Sequence, residues 1–122
     1  MASRKKLGIR GEKIAEDFLV QKGFRICARN WRYGHQEIDL IALEGEVLVF
    51  VEVKARQSDA YGWPEQAVGS DKQRFLTEAA EQYVQMYGLK KDVRFDVIAI
   101  TFGGSTPVVR HFRNAFYPTG TE

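Results

Sequence analysis

One cysteine and two histidines in 122 residues leave little room for two common kinds of chemistry. A lone Cys27 excludes an internal disulfide, and with only His35 and His111 beside it there is no spaced set of zinc ligands; Cys27 reads as a core residue rather than a nucleophile. No apolar run approaches the roughly 20 residues of a membrane helix, so no membrane is expected. Met1-Ala2-Ser3-Arg4-Lys5-Lys6 is not followed by an apolar signal core, which makes the cytoplasm the expected address. Strong charge of one sign is lacking too: a net charge of +2 is by itself a weak pointer to nucleic acid. Repeats, linkers and low-complexity segments are absent.

What remains suits one folded unit. Hydrophobic residues make up 44% and charged residues 28% of the chain, which argues against disorder, and the length fits a single domain over residues 1–122. Leu7, Gly11, Ile14, Ala15, Phe18 and Leu19 fall on one helical stripe between Leu7 and Lys22, with Glu12 at its margin and Gly23 as the stop. Phe24 to Ala28, Glu37 to Leu43 and Val47 to Lys54 read as strands, the last two joined as a hairpin through Glu44-Gly45-Glu46. Val47 to Val51 is apolar on both faces, which places that strand centrally in a sheet covered on both sides. A loop from Ala55 to Gly69 precedes a helix with a Ser70/Gln73 capping box, an apolar face of Phe75, Leu76, Ala79, Ala80, Tyr83 and Val84, and a stop at Gly88. Val93 to Phe102 and Val108 to Phe112 complete the order α-β-β-β-α-β-β: an α/β domain with a mixed β-sheet flanked by helices, its last strand at an edge.

The chemistry concentrates on the hairpin. Strand residues two apart share a face, so Glu52 projects with Lys54 and Glu37 with Asp39, and an even-length loop sets all four on one face with Ile41, Leu43, Leu48 and Phe50. A two-residue loop at Gly45-Glu46 puts Asp39 directly opposite Glu52. Two carboxylates in so poorly solvated a place require either a retained proton or a cation, and oxygen ligands without Cys or His favour Mg²⁺ or Mn²⁺. Such an ion polarises a phosphoryl oxygen and activates water, while the Lys54 ammonium can stabilise the transition state. The bland alternative is a partly buried Glu52–Lys54 ion pair with Asp39 accepting turn hydrogen bonds.

Asp39 and Glu52-Val53-Lys54, preceded by a helical Glu12, resemble the PD-(D/E)xK nuclease superfamily. More specifically, Gly11-Glu12, Arg29-Asn30, Glu37-Ile38-Asp39-Leu40-Ile41-Ala42, Val49-Phe50-Val51-Glu52-Val53-Lys54 and Arg94-Phe95-Asp96 look like the bacterial YraN-type family of uncharacterised proteins, from about Gly8 to Ile100. The resemblance implies a restriction-endonuclease-like fold, a Mg²⁺ site on Asp39 and Glu52, and phosphodiester hydrolysis. Its nearest-looking branch, the Holliday-junction resolvases, also carries an acid on the first helix, which maps to Glu12 as a third ligand or a contact to an intervening water. Ile38 stands where the nominal proline would be, and Gln36 where glycine is expected.

Arg25, Arg29 and Arg32 interleave with Asn30, Trp31 and Tyr33 in a stretch suited to phosphates and an unpaired base, and Lys72 opens the second helix where a phosphate can be received. Arg94 and Asp96 read as a structural pair. Tyr61, Trp63 and Pro64 in the long loop offer either a substrate-facing lid or a homodimer contact. The leading expectation is therefore an endonuclease on DNA, structured or branched, with Glu12, Asp39, Glu52 and Lys54 as its catalytic set. The alternatives are a non-catalytic nucleic-acid-binding module on the same fold, or a nuclease acting on RNA.

Overall fold

The computed structural model describes residues 4–57 and 69–116. Within them α1 (Arg4–Gln21) precedes β1 (Arg25–Tyr33), β2 (Gln36–Glu44) and β3 (Val47–Arg56), and α2 (Ser70–Met86) precedes β4 (Asp92–Thr101) and β5 (Val108–Phe116). The strands form one mixed sheet in the order β1-β2-β3-β4-β5, with only β3 and β4 parallel. This is the expected α-β-β-β-α-β-β order, with β3 central and β5 at an edge, and it is consistent with a restriction-endonuclease-like fold. Tyr61, Trp63 and Pro64 lie outside the described residues.

Each helix covers one face. Ala15 and Leu19 of α1 pack with Leu40, Ala42, Val49, Val51, Ile98 and Ile100, whereas Leu76, Ala79, Ala80 and Tyr83 of α2 pack with Ile41, Leu48, Phe50, Phe95 and Val97. Burying each large apolar side chain contributes about 1.5–3 kcal/mol, which is why β3, apolar on both faces, sits between the two layers. Phe75, read as part of the α2 face, is instead 43% exposed.

Both helices stop by the same device. Gly23 (φ +95) and Gly88 (φ +60) take left-handed backbone, letting the Phe24 and Leu89 amides donate back to the Leu19 and Val84 carbonyls at 2.9 and 3.0 Å. The start of α2 differs from expectation. Gly69 occupies the cap position and no side chain caps it, because Ser70 already lies inside the helix, one residue too late for the capping box.

Three further differences bear on the site. β1 runs to Tyr33 and pairs with β2 around Gly34-His35, so the arginine-rich stretch is an edge strand rather than an approach loop. Cys27 is exposed: the β1–β2 register shifts between Ile26 and Ala28, and the extra residue is turned outward by that bulge. β3 continues through Ala55 and Arg56, and a Cβ added to Gly11 would stand 2.8 Å from the Ala55 Cβ. The missing side chain at Gly11 lets α1 cross β3 closely, which brings the adjacent Glu12 down to the sheet.

Candidate metal centre

The hairpin turn is the two-residue Gly45-Glu46, with Glu44 paired to Val47 and the ladder running to Leu40↔Val51. There it stops. The Val53 N–H donates to Asp39 Oδ2 at 2.8 Å, so a side chain rather than the β2 backbone takes the next bond. On the other side β1 and β2 are paired at Arg29↔Leu40 and Trp31↔Ile38 but not across Asn30 and Asp39, and Asn30 has φ +48.

This interruption corrects the expectation of one shared face. Ile38 joins Ile41 in the layer under α2, while Leu40 and Ala42 lie under α1, so the regular alternation does not run through Asp39. Glu52 is lodged beside Ile38, Phe50 and Leu76 on the α2 side; Glu12 arrives from α1. Asp39, at the fork between β2 and β3, meets both.

The carboxyl groups of Asp39 and Glu52 lie close enough to interact, and that neighbour favours the protonated form of Asp39. Burial is the largest influence on Asp39; the neighbouring Glu52 carboxyl, its charge and that of Glu12 act in the same direction, and the Val53 amide opposes them. Together they push the Asp39 acid up to about 8. Glu52 is only 7% exposed, and its Oε2 makes no hydrogen bond although Lys72 Nζ lies 3.4 Å away.

Glu12, Glu37 and Asp39 each offer an oxygen within 4.8 Å of the others. The Asn30 amide nitrogen donates to Glu12 Oε1 at 2.9 Å and to Glu37 Oε1 at 3.0 Å, and Arg32 stands 3.4 Å from Glu37. Three converging carboxylates, an adjacent buried carboxylate with a free oxygen, and no soft donor form a set that fits a hard divalent cation. A polar cavity of about 340 Å³, lined by Glu12, Lys13, Glu16, Arg29, Asn30 and Leu40, opens beside the cluster.

Of the residues singled out in the sequence, the structure brings together Glu12 and Asp39, joins Glu52 to Asp39, and adds Glu37 to the group. Lys54, two residues beyond Glu52, is half-buried and makes no ion pair or hydrogen bond among the described residues. Arg25 and Arg32 are exposed on β1, and Lys72 sits at the start of α2 over Glu52. Arg29 is engaged: its guanidinium grips Glu16 of α1 at 2.6 and 2.7 Å. Asn30 drew attention as part of a nucleic-acid stretch, not as the donor that links two acids. Its φ preference was the available signal, since Asn is among the few residues that tolerate left-handed backbone.

Arg94 and Asp96 form the structural pair read from the sequence, at 2.8 and 2.9 Å, extended by His111 Nε2 at 2.8 Å and the Asn114 amide at 3.1 Å. Burial works against ionising Asp96, but these donors outweigh it and hold the acid at about 2.

The profile of the uncharacterised protein family UPF0102 matches residues 11–100. A UPF0102 protein of Anaeromyxobacter dehalogenans is 47% identical over 93% of this chain and 85% of its own length. Those of Chlorobium chlorochromatii and Rhodococcus jostii are 43% and 45% identical, over 91% and 95% of this chain and 91% and 100% of their own lengths.

Proposed function

The chain belongs to the uncharacterised protein family UPF0102, and we propose that it is a Mg²⁺- or Mn²⁺-dependent endonuclease acting on phosphodiester bonds, in structured or branched DNA ahead of RNA. The observation that carries this reading is the Asp39–Glu52 carboxyl pair, held at a break in the sheet with Glu12 and Glu37 converging on Asp39. Asp39, Glu52 and Glu12 would hold the ion. When bound, it would neutralise charge developing on the phosphoryl group and make water a better nucleophile at neutral pH.

The chain's own groups supply the rest. Lys54, without a partner among the described residues, is available to stabilise negative charge beside Glu52. Arg32 beside Glu37 and Lys72 beside Glu52 would take phosphates at the site, and Arg25, exposed farther along β1 opposite Leu43, would take one more distant. Lys72 has a second role in the metal-free protein, since its ammonium offsets the buried charge of Glu52. Among the described residues no helix is long and apolar enough to cross a membrane.

The test incubates the purified protein with single-stranded, duplex, flap and four-way DNA and with RNA, in Mg²⁺, Mn²⁺ or chelator, with Glu52→Ala as the contamination control. Cleavage that needs metal and is lost in the variant supports the reading. Binding that ignores metal, with every strand left intact, would return the protein to a binding module on a nuclease-like fold.

A further inference from the structure

We propose that Asn30 is a positioning residue for the metal centre, holding Glu12 and Glu37 together while leaving their charge free for a cation; this rests on the metal-site reading above. One amide nitrogen carries two hydrogens, and here each goes to a different carboxylate, at 2.9 and 3.0 Å. The acids come from different elements, α1 and β2, and the donor from a third, β1.

The choice of side chain follows from charge. Lysine or arginine between two carboxylates would neutralise them and remove the attraction for a divalent ion, whereas a neutral amide fixes their separation and leaves both negative. Asparagine also meets the backbone requirement. With φ +48 the residue lies in the left-handed region, where β-branched and bulky side chains are strained and Asn and Gly are tolerated. The same conformation breaks the β1–β2 ladder opposite Asp39, so one residue both opens the gap that Asp39 occupies and ties down the two acids beside it. Glu52, nine-tenths buried beside Asp39, points the same way: its Oε2 makes no hydrogen bond, with only the Lys72 ammonium 3.4 Å away.

A purely conformational role and a positioning role predict opposite patterns across two substitutions. Asn30→Gly keeps the left-handed backbone and loses the amide; Asn30→Ala loses the amide and strains the backbone. Mn²⁺ binding is measured by calorimetry, and thermal midpoints are measured in chelator. Positioning predicts that both variants bind Mn²⁺ about 10- to 100-fold more weakly, the range seen when partners of metal ligands are removed, while only Asn30→Ala melts earlier. Asn114→Gly, at the other left-handed asparagine (φ +53), serves as the control and leaves Mn²⁺ affinity unchanged. Asn30→Gly binding Mn²⁺ as tightly as the parent would overturn the assignment alone. A parent protein that gives no Mn²⁺ heat would overturn it together with the metal-site reading.

Discussion

Replacing Asp39 by asparagine should stabilise the metal-free protein, the reverse of what removing a buried charge partner normally does. The site has room for the change. The Asn oxygen can accept from the Val53 amide as Asp39 Oδ2 now does, and the Asn nitrogen can donate towards the neighbouring Glu52 carboxylate. The magnitude follows from linkage. With the acid near 8 when folded against 3.8 unexposed to that environment, the folded state holds a proton between pH 4 and 8 that the unfolded chain has released. Stability attributable to this group is therefore fully present below about pH 4 and is lost as pH rises through 8, a loss of about 4 kcal/mol by pH 7 at 1.36 kcal/mol per pH unit. Residual solvent access and relaxation lower that figure, so a gain of about 1–3 kcal/mol for Asp39→Asn at pH 7 is the working expectation. Urea denaturation of both proteins in chelator, from pH 5 to 9, reads it directly: the parent should weaken with rising pH and the variant should lack that slope. Added Mn²⁺ should raise the parent's midpoint and leave the variant's where it was. A variant less stable than the parent at every pH, with the slope intact, would refute the account of Asp39 as an acid held in an unfavourable place.

Four other substitutions probe other parts of the structure. Asp96→Asn strands His111, leaves Arg94 with Glu44 as its remaining charge partner, and should cost about 3–5 kcal/mol in urea denaturation; near-parental stability would mean the network is slack. Because the Asp96 acid is lowered to about 2, its contribution is present above pH 4 and disappears as pH falls through 2, opposite to Asp39. Gly11→Ala places a Cβ 2.8 Å from the Ala55 Cβ and should destabilise by about 1–3 kcal/mol, seen as a lower thermal midpoint; an unchanged midpoint would deny the close crossing of α1 over β3. Arg32→Ala should weaken DNA binding at all sequences and reduce the salt slope by about one, whereas Arg29→Ala, already committed to Glu16, should act mainly on stability. Equal binding losses in titrations at two salt concentrations would show that the Glu16 pair opens for DNA.

Much of the frame was legible in the sequence because it rests on local rules. Gly45 in a two-residue turn fixes a hairpin register, the apolar run from Val47 to Val51 demands cover on both sides, and Gly23 and Gly88 end helices by backbone geometry alone. The opposition of Asp39 and Glu52 could be read from that register. What escaped was the interruption at Asp39 itself. A period-2 pattern assumes an unbroken strand, and nothing in it signals that Asn30, nine residues away, has gone left-handed and broken the ladder. The engagement of Arg29 was hidden for a similar reason: Glu16 lies on another element, and only the packing of α1 brings it near. The full length of β1 was obscured by its three arginines and Asn30, which break the apolar pattern, and by its exposure along much of its length.

Buried Asp96 and half-buried Asp39 differ in a way that favours the hairpin acid as the candidate site. Each sits where a ladder is disturbed beside a left-handed asparagine, Asp39 facing Asn30 and Asp96 bonded to the Asn114 backbone. Their surroundings then diverge. Asp96 is met by two nitrogens of Arg94, by His111 and by a backbone amide, and its charge is so well matched that the acid falls to about 2. Asp39 receives one backbone amide and otherwise faces acids. A fold able to satisfy Asp96 so fully leaves Asp39 short of positive charge, although Arg29 and Arg32 are at hand and are bound instead to Glu16 and Glu37. Cations of the chain thus pair with Glu16, Glu37 and Glu52 around Asp39, and among the described residues none is paired with Asp39 itself. With so little positive charge against it, the cluster of Glu12, Glu37 and Asp39 could hold a cation that the chain does not itself provide.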